Sequence, residues 1–580
     1  MASTTALFTG LSGLNVHARR LDVIGNNIAN VNSTAFKSSR LLLAPQFPRT
    51  FSAGSPPGDA SGGTNPNQVG LGVVAAGTQR DMRSGAISVT GDARDLAIEG
   101  EGFFVVDRAG GEAYTRAGAF RPNESGELIT IGGERLRGFG VDQGYNVVEG
   151  QLVNLSIPLG SLTVADATTL VRFDGNLNAS GNVPTHGARI ALGAGGGGGF
   201  SLIPGATAPA TPPNVLEETS LLVEMADPQA AGSPLFTTGQ TIEIRGAEKG
   251  SRRLEPARLE ITDSMTVRNL LDFLNVALGL RTDTGTNPDG STPGASLDPA
   301  SGMLTLIGNT GVVNDLVFPS TSVRLLAADG ALVRNPFAAD KQASADGESV
   351  RTTFVVYDSL GAPVSVDLAV VMDGKSNAGT TWRFYTESAG ADPRLTTGTL
   401  GFDTLGQLDS GGTAEVSIDR AGTGAASPLA FSIAFAGPTD AVTAYASSGS
   451  TLAATEQDGS PIGTLSNFGI GTDGTITGAF TNGLTRTLGR VALASFRNPE
   501  GLVEQGSNLF SVGPNSGNAV VTSPGEFGAG RIVSGALELS NVDLGNEFIN
   551  MILTSTGYSA SSRVIRTTDE LLQQLLVLGR

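Results

Sequence analysis

A chain of 580 residues is too long for a single hydrophobic core, so several domains are expected. Its net charge of −18 comes with scattered basic residues and no basic stripe, which argues against a nucleic-acid partner, and the lack of cysteine removes disulfides, thiolate catalysis and Cys-ligated zinc together. Hydrophobic residues make up 39%, enough to fold the chain, while 80 glycines and 6% aromatics favour short strands and turns.

The first forty residues depart from that composition. Leu7, Leu11, Leu14, Ala18, Leu21, Gly25 and Ile28 fall four and three residues apart, the 3.5-residue repeat of a helix that buries a narrow seam. Ile24 and Val31 widen the seam into an amphipathic stripe. Gly10, Gly13 and Gly25 each cost such a helix about 1 kcal/mol relative to Ala, so it is marginal alone and needs a partner. Asn26, Asn27, Asn30 and Asn32 lie beside the seam, where amide side chains fix the register of neighbouring helices. His17 lies off it. Met1 to Thr5 lack the basic start of a secretory signal, so no cleaved targeting segment is expected.

Residues 41–70 carry Pro45, Pro48, Pro56, Pro57 and Pro66, which forbid a continued helix and read as a flexible linker. Residues 71–142 read as short strands, with an apolar strand at Phe103 to Val106. Glu99 and Glu101 share a strand face, but two carboxylates beside a turn, with no cleft between them, are solvated surface groups.

Residues 143–457 form a long β-rich insertion, read as two domains with a break near 340 at Asn335-Pro336. The uncharged run Ile190 to Val215 is broken by glycines and prolines and would not insert in a membrane as a helix. Gly195 to Gly199 lacks the Gly-Lys-Ser/Thr of a phosphate loop and reads as a loop tip. One helix is predicted over Thr266 to Leu280, capped by Thr266 and apolar at Val267, Leu270, Leu271, Leu274 and Leu278. Thr353 to Val371 reads as a hairpin turning at Asp358 to Gly361, with Trp382 on a further strand.

A second β segment follows over 458–530, where Asn482-Gly483 between alternating runs is the strongest hairpin signal in the chain. Gly469 to Gly474 fits GxGxxG without the strand-then-helix context of a dinucleotide site. Over 531–580 helical spacing returns at Leu544, Phe548, Met551, Ile552, Tyr558, Ile565, Leu572, Leu575 and Leu578, with small Ser555 and Ser562 between. Two histidines and no HExxH or GxSxG leave no expected catalytic, metal or cofactor site. The overall expectation is a mainly β multidomain chain with coiled-coil helices at both ends, its domains nested so that both termini lie in the innermost one.

The run Leu21-Asp-Val-Ile-Gly-Asn-Asn-Ile-Ala-Asn-Val-Asn-Ser-Thr-Ala-Phe-Lys37 resembles the N-terminal signature of the bacterial flagellar rod and hook proteins, and Ser534-Gly-Ala-Leu-Glu-Leu-Ser-Asn-Val-Asp-Leu544 resembles the C-terminal one. Ile98 to Phe104, Val171 to Ala179, Thr353 to Gly361 and Phe496 to Phe510 are similar to the hook members. Ala35 stands where the family more often has Gly, which disfavours a left-handed turn. The resemblance implies a non-enzymatic subunit that polymerises into the hook, a curved tube acting as a universal joint. It implies an extracellular place in the flagellum, reached through the flagellar export apparatus, beside the distal rod, hook cap and junction proteins. The self-assembly residues it implies are Leu7, Leu11, Leu14, Leu21, Ile24, Asn26, Asn27, Ile28, Asn30, Phe548, Ile552, Tyr558, Ile565, Leu572 and Leu575. A hook–filament junction or distal rod protein is the nearer alternative. The junction pattern usually has an aromatic-Ser-Arg run where this chain has Phe36-Lys-Ser-Ser-Arg40. A secreted β-rich adhesin, the distant alternative, would not need apolar heptads at both ends.

Overall fold

The computed structural model describes residues 2–59, 61–108, 110–195, 198–206, 215–230, 232–390, 392–437 and 441–578. Gly196 and Gly197 of the expected loop tip, part of the uncharged 190–215 run and the side chain of Leu575 lie outside the described residues. Among the described residues three α-helices stand among short strands: α1 (Ala2–Ala29), α2 (Val267–Ala277) and α3 (Leu544–Leu578). The chain forms two compact units, one from Met1–Thr163 and Gly463–Arg580, the other from Val164–Ile462.

In the first unit, residues on either side of the long insertion share one sheet. Strand Arg135–Val141 pairs with Phe103–Arg108 through Arg135 and Leu136 and with Thr485–Val491 through Gly138 and Phe139. Phe103 to Val106 are all buried, since the sheet is covered on both faces there, and Phe103 meets Phe510 edge-on at 5.8 Å. The Asn482-Gly483 hairpin joins Thr475–Phe480 to Thr485–Val491, with Gly483 at φ +86. The GxGxxG run is the β-turn preceding that hairpin.

Two short pairings tie the chain ends to this sheet: Leu96–Glu99 with Arg531–Ser534, and Ile87–Val89 with Ala536–Glu538. The Pro-rich stretch expected as a linker is a two-tiered antiparallel hairpin. Ser39–Pro45 pairs with Val73–Arg80, and Arg49–Ser52 with Asn67–Val69 further out. In a two-stranded ribbon every strand is an edge, so proline can sit where no ladder donor is needed.

Among the described residues the second unit has two large apolar cores. A host lobe closes a five-stranded meander (Ser349–Tyr357, Pro363–Ser376, Gly379–Ser388, Arg394–Phe402, Leu408–Ser410) over a four-stranded sheet containing Leu170–Asn176 and Thr451–Gln457. Trp382, Phe384, Phe431 and Phe435 fill the space between them. An insert lobe over residues 188–345 packs two four-stranded sheets around α2. Val267, Leu270, Leu271, Leu274 and Leu278 are buried there, and the Thr266 amide donates to Asn269 Oδ1 at 2.9 Å, the reciprocal arm of a capping box. Among the described residues no helix is long and apolar enough to cross a membrane.

Candidate assembly interface

α1 and α3 pack antiparallel, but not along the seam read from the leucines. The face of α1 turned to α3 runs Gly10, Gly13, His17, Arg20, Ile24 and Asn27. Each of these positions precedes a residue of the predicted stripe by one, a rotation of about 100° at 3.6 residues per turn. A Cβ at Gly10 would lie 2.9 Å from Ile565 Cγ1, one at Gly13 2.8 Å from Ser561 Oγ, and one at Gly557 2.7 Å from the His17 ring. The backbones therefore approach closely because these three positions are glycine. α3 offers Thr554, Gly557, Ser561 and Thr568, not Ser555 and Ser562. The hydroxyls of Thr554, Ser561 and Thr568 donate to carbonyls four residues back, so they enter the seam already satisfied.

The predicted apolar residues are thus left on open faces. Leu11 is 49% exposed, Phe548 47%, Ile552 63% and Tyr558 38%, while Leu7, Leu14, Leu21, Ile28 and Leu572 are half-buried. Of the expected apolar set, Ile24 is buried and Ile565 packs on Gly10. Phe8, Ile549 and Leu553 extend the exposed apolar surface. The asparagines split. Buried Asn27 donates to Ser39 O at 2.8 Å and to Glu547 Oε1 at 3.0 Å, and accepts from Ser39 N at 3.0 Å, tying the end of α1 to the hairpin and to α3. Asn30 Nδ2 reaches only Asn26, at the surface.

A second cluster, unforeseen from the sequence, holds both helices to the β-sheet. Glu538, just before α3, is fully buried between Lys37 (2.6 Å) and Arg116 (3.2 Å), and accepts the Gly85 amide at 2.8 Å. Lys37 Nζ also donates to Arg83 O, and Arg116 Nη2 to Gly100 O at 2.7 Å. Burial pushes the Lys37 ammonium below the ordinary lysine range, with the Glu538 carboxylate pulling the other way. Asn541 completes the clasp, its Oδ1 taking the Ser38 amide at 2.7 Å and its Nδ2 donating to Asp81 O at 2.8 Å. Ala35 does adopt the left-handed conformation, at φ +57, buried and with its amide donating to Glu538 O at 2.8 Å. Glu99 is exposed and paired with Arg531 at 2.7 Å, as a surface carboxylate should be.

Four family profiles match this chain. They are the flagella basal body rod protein over residues 7–37, the flagellar hook protein FlgE/F/G D1 domain over 97–179, the flagellar basal body protein FlaE D2 domain over 326–460, and the flagellar basal body rod FlgEFG protein C-terminal over 533–578. Full-length similarity accompanies them: 28% identity to the flagellar hook protein FlgE of Treponema pallidum over 99% of both chains, and 26% to that of Escherichia coli over 99% of this chain and 100% of the other. The chain belongs to the flagellar hook protein family. Among solved structures, the Helicobacter pylori flagellar hook protein FlgE2 aligns with TM-score 0.37 and 18% identity over 78% of this chain and 100% of that one.

Hook proteins are structural subunits and not enzymes. The matched segments contain the clasp, with Arg116 in the D1 segment. The first matched segment ends at Lys37, and the last includes Glu538 and Asn541. A sequence signal for it existed: Lys37 is one of only four lysines in the chain, and it follows the apolar pair Ala35-Phe36.

Proposed function

We propose that this chain is the building subunit of the flagellar hook, polymerising into a flexible curved tube that carries torque from rod to filament. One observation carries the reading: α1 and α3 join through glycines and hydroxyls, while their leucines, isoleucines and phenylalanines, apart from Ile24 and Ile565, stay exposed or half-buried. Burying each such side chain against a neighbouring copy contributes about 1.5–3 kcal/mol, repeated along both helices and over many copies. Leu7, Leu11, Leu14, Leu21, Ile28, Phe548, Ile552, Tyr558 and Leu572 are the residues assigned to those contacts. Ile24, Asn27 and Ile565 set the helix pair that presents them.

In this arrangement the helix pair (1–40 and 531–580) forms the wall of a central channel. The β-sheet drawn from 71–142 and 458–530 stacks along the tube, and residues 143–457 lie outermost, where weaker polar contacts slide as the bent tube turns. The distal rod, hook cap and hook–filament junction proteins bind its ends, and the flagellar export apparatus delivers the chain. Electron microscopy of the purified chain at high concentration tests the reading. Short curved tubes are expected; straight filaments or monodisperse monomers would contradict it.

A further inference from the structure

Strand Pro363–Ser376 of the host lobe changes its burial pattern midway. Val364 and Val366 are buried while Pro363 and Ser365 are exposed, as in a sheet with one wet face, yet from Leu368 to Met372 every residue is buried. The insert lobe lies on the second face there. Gly311 brings its backbone so close that a Cβ would stand 2.6 Å from Val371 Cγ1, and Val313 packs with Ala369, Val371 and Tyr385. This apolar patch is small and carries little directional information.

Direction comes from the charges beside it. Lys249 of the insert lobe and Glu387 of the host lobe are both buried and bonded to each other, with Lys249 Nζ also donating to Gly279 O at 2.8 Å. Arg252 of the insert lobe bridges Glu387 at 3.0 Å and Asp367 at 2.7 Å. In return, host Arg351 donates to the insert-lobe carbonyls of Lys249 (2.7 Å) and Val313 (2.8 Å). Burial pushes the Tyr385 phenol up to about 12, as a dry contact should. Charges removed from water contribute little net stability, but a misaligned buried pair is costly, so such pairs select one geometry among many.

We propose that the Lys249–Glu387 pair, braced by Arg252 and Arg351, is an orientational lock that makes the insert and host lobes move as one rigid body. It stands on the single chain, independent of whether that chain forms a tube. The lobes are joined by only two connections, around residues 178–187 and 344–348, which without the lock would act as a hinge.

The chain has no cysteine, so Ala328→Cys in the insert lobe and Ala421→Cys in the host lobe, both exposed, accept spin labels cleanly in the full-length monomer. The inter-label distance distribution is expected to be single and narrow. Adding Lys249→Met and Glu387→Met together should leave the chain folded and broaden that distribution at least about twofold, since apolar side chains of similar size replace a buried pair without restoring its direction. Should the double variant not fold, Glu387→Gln is read by the same criterion. Val371→Ala, which trims only the apolar patch, should leave the width unchanged. A broad distribution in the parent, an unchanged width in the lock variant, or equal broadening by Val371→Ala would each overturn the lock.

Discussion

Residues 164–462 hold 32 acidic and 17 basic residues, against 23 and 20 in the rest of the chain, so a net −15 of the −18 resides in the second unit. That unit closes its large apolar side chains into two cores. The terminal helices do the reverse. α3 has five charged residues in 35 and turns Phe548, Ile549, Ile552 and Leu553 outward. On the proposed function the contrast separates two tasks: attraction between copies would be concentrated in the helices, and like charge in the second unit would oppose indiscriminate sticking. Each region also uses a different joint. The helices meet through glycine notches that permit close backbone approach, whereas the lobes of the second unit meet through buried ion pairs that select an orientation.

The comparison is broken most severely by charging the open helix faces. Leu11→Asp with Ile552→Asp should raise the concentration needed for polymer formation at least about a hundredfold, two lost burials of about 1.5–3 kcal/mol each, while leaving the monomer's melting temperature nearly unchanged. Sedimentation of polymer against protein concentration measures the first, and calorimetry the second. Next in size, Glu538→Ala strands Lys37 and Arg116 as buried cations and should destabilise the first unit by about 3–5 kcal/mol in denaturant titration. The second unit is expected to melt as before.

Gly557→Val sharpens the contrast between the two joints. Its side chain would meet the His17 ring, and we expect about 1–3 kcal/mol lost from the helix pair, read as faster amide exchange in α1 without change in the β-sheets. The smallest effect has the opposite sign. Ala35→Gly relieves a left-handed alanine and should stabilise the first unit by about 1 kcal/mol, measured as a rise in denaturation midpoint.

Much of the architecture was legible from short-range patterns. The Asn482-Gly483 turn, α2 with its Thr266 cap and the helical ends all follow from local chemistry that tertiary packing did not override. The helix seam was misread by one residue because hydrophobic periodicity reports which face is apolar, not which face is used first. Here Gly10, Gly13 and Gly557 signalled the contact, and glycines in a helix read instead as a stability cost. The Pro-rich 41–70 segment escaped because a two-stranded ribbon tolerates proline that a central strand would not. The Lys37–Arg116–Glu538 clasp joins Glu538 to residues 501 and 422 positions away, beyond the reach of any spacing rule.

Chemical protection at the open face of α3 tests the central claim most directly. Ile552→Cys, as the single thiol in the chain, should react rapidly with a maleimide in the monomer and at least about tenfold more slowly in assembled tubes, while Leu405→Cys, 67% exposed in the second unit, should change little. Equal reactivity of Cys at 552 in monomer and tube would contradict the account.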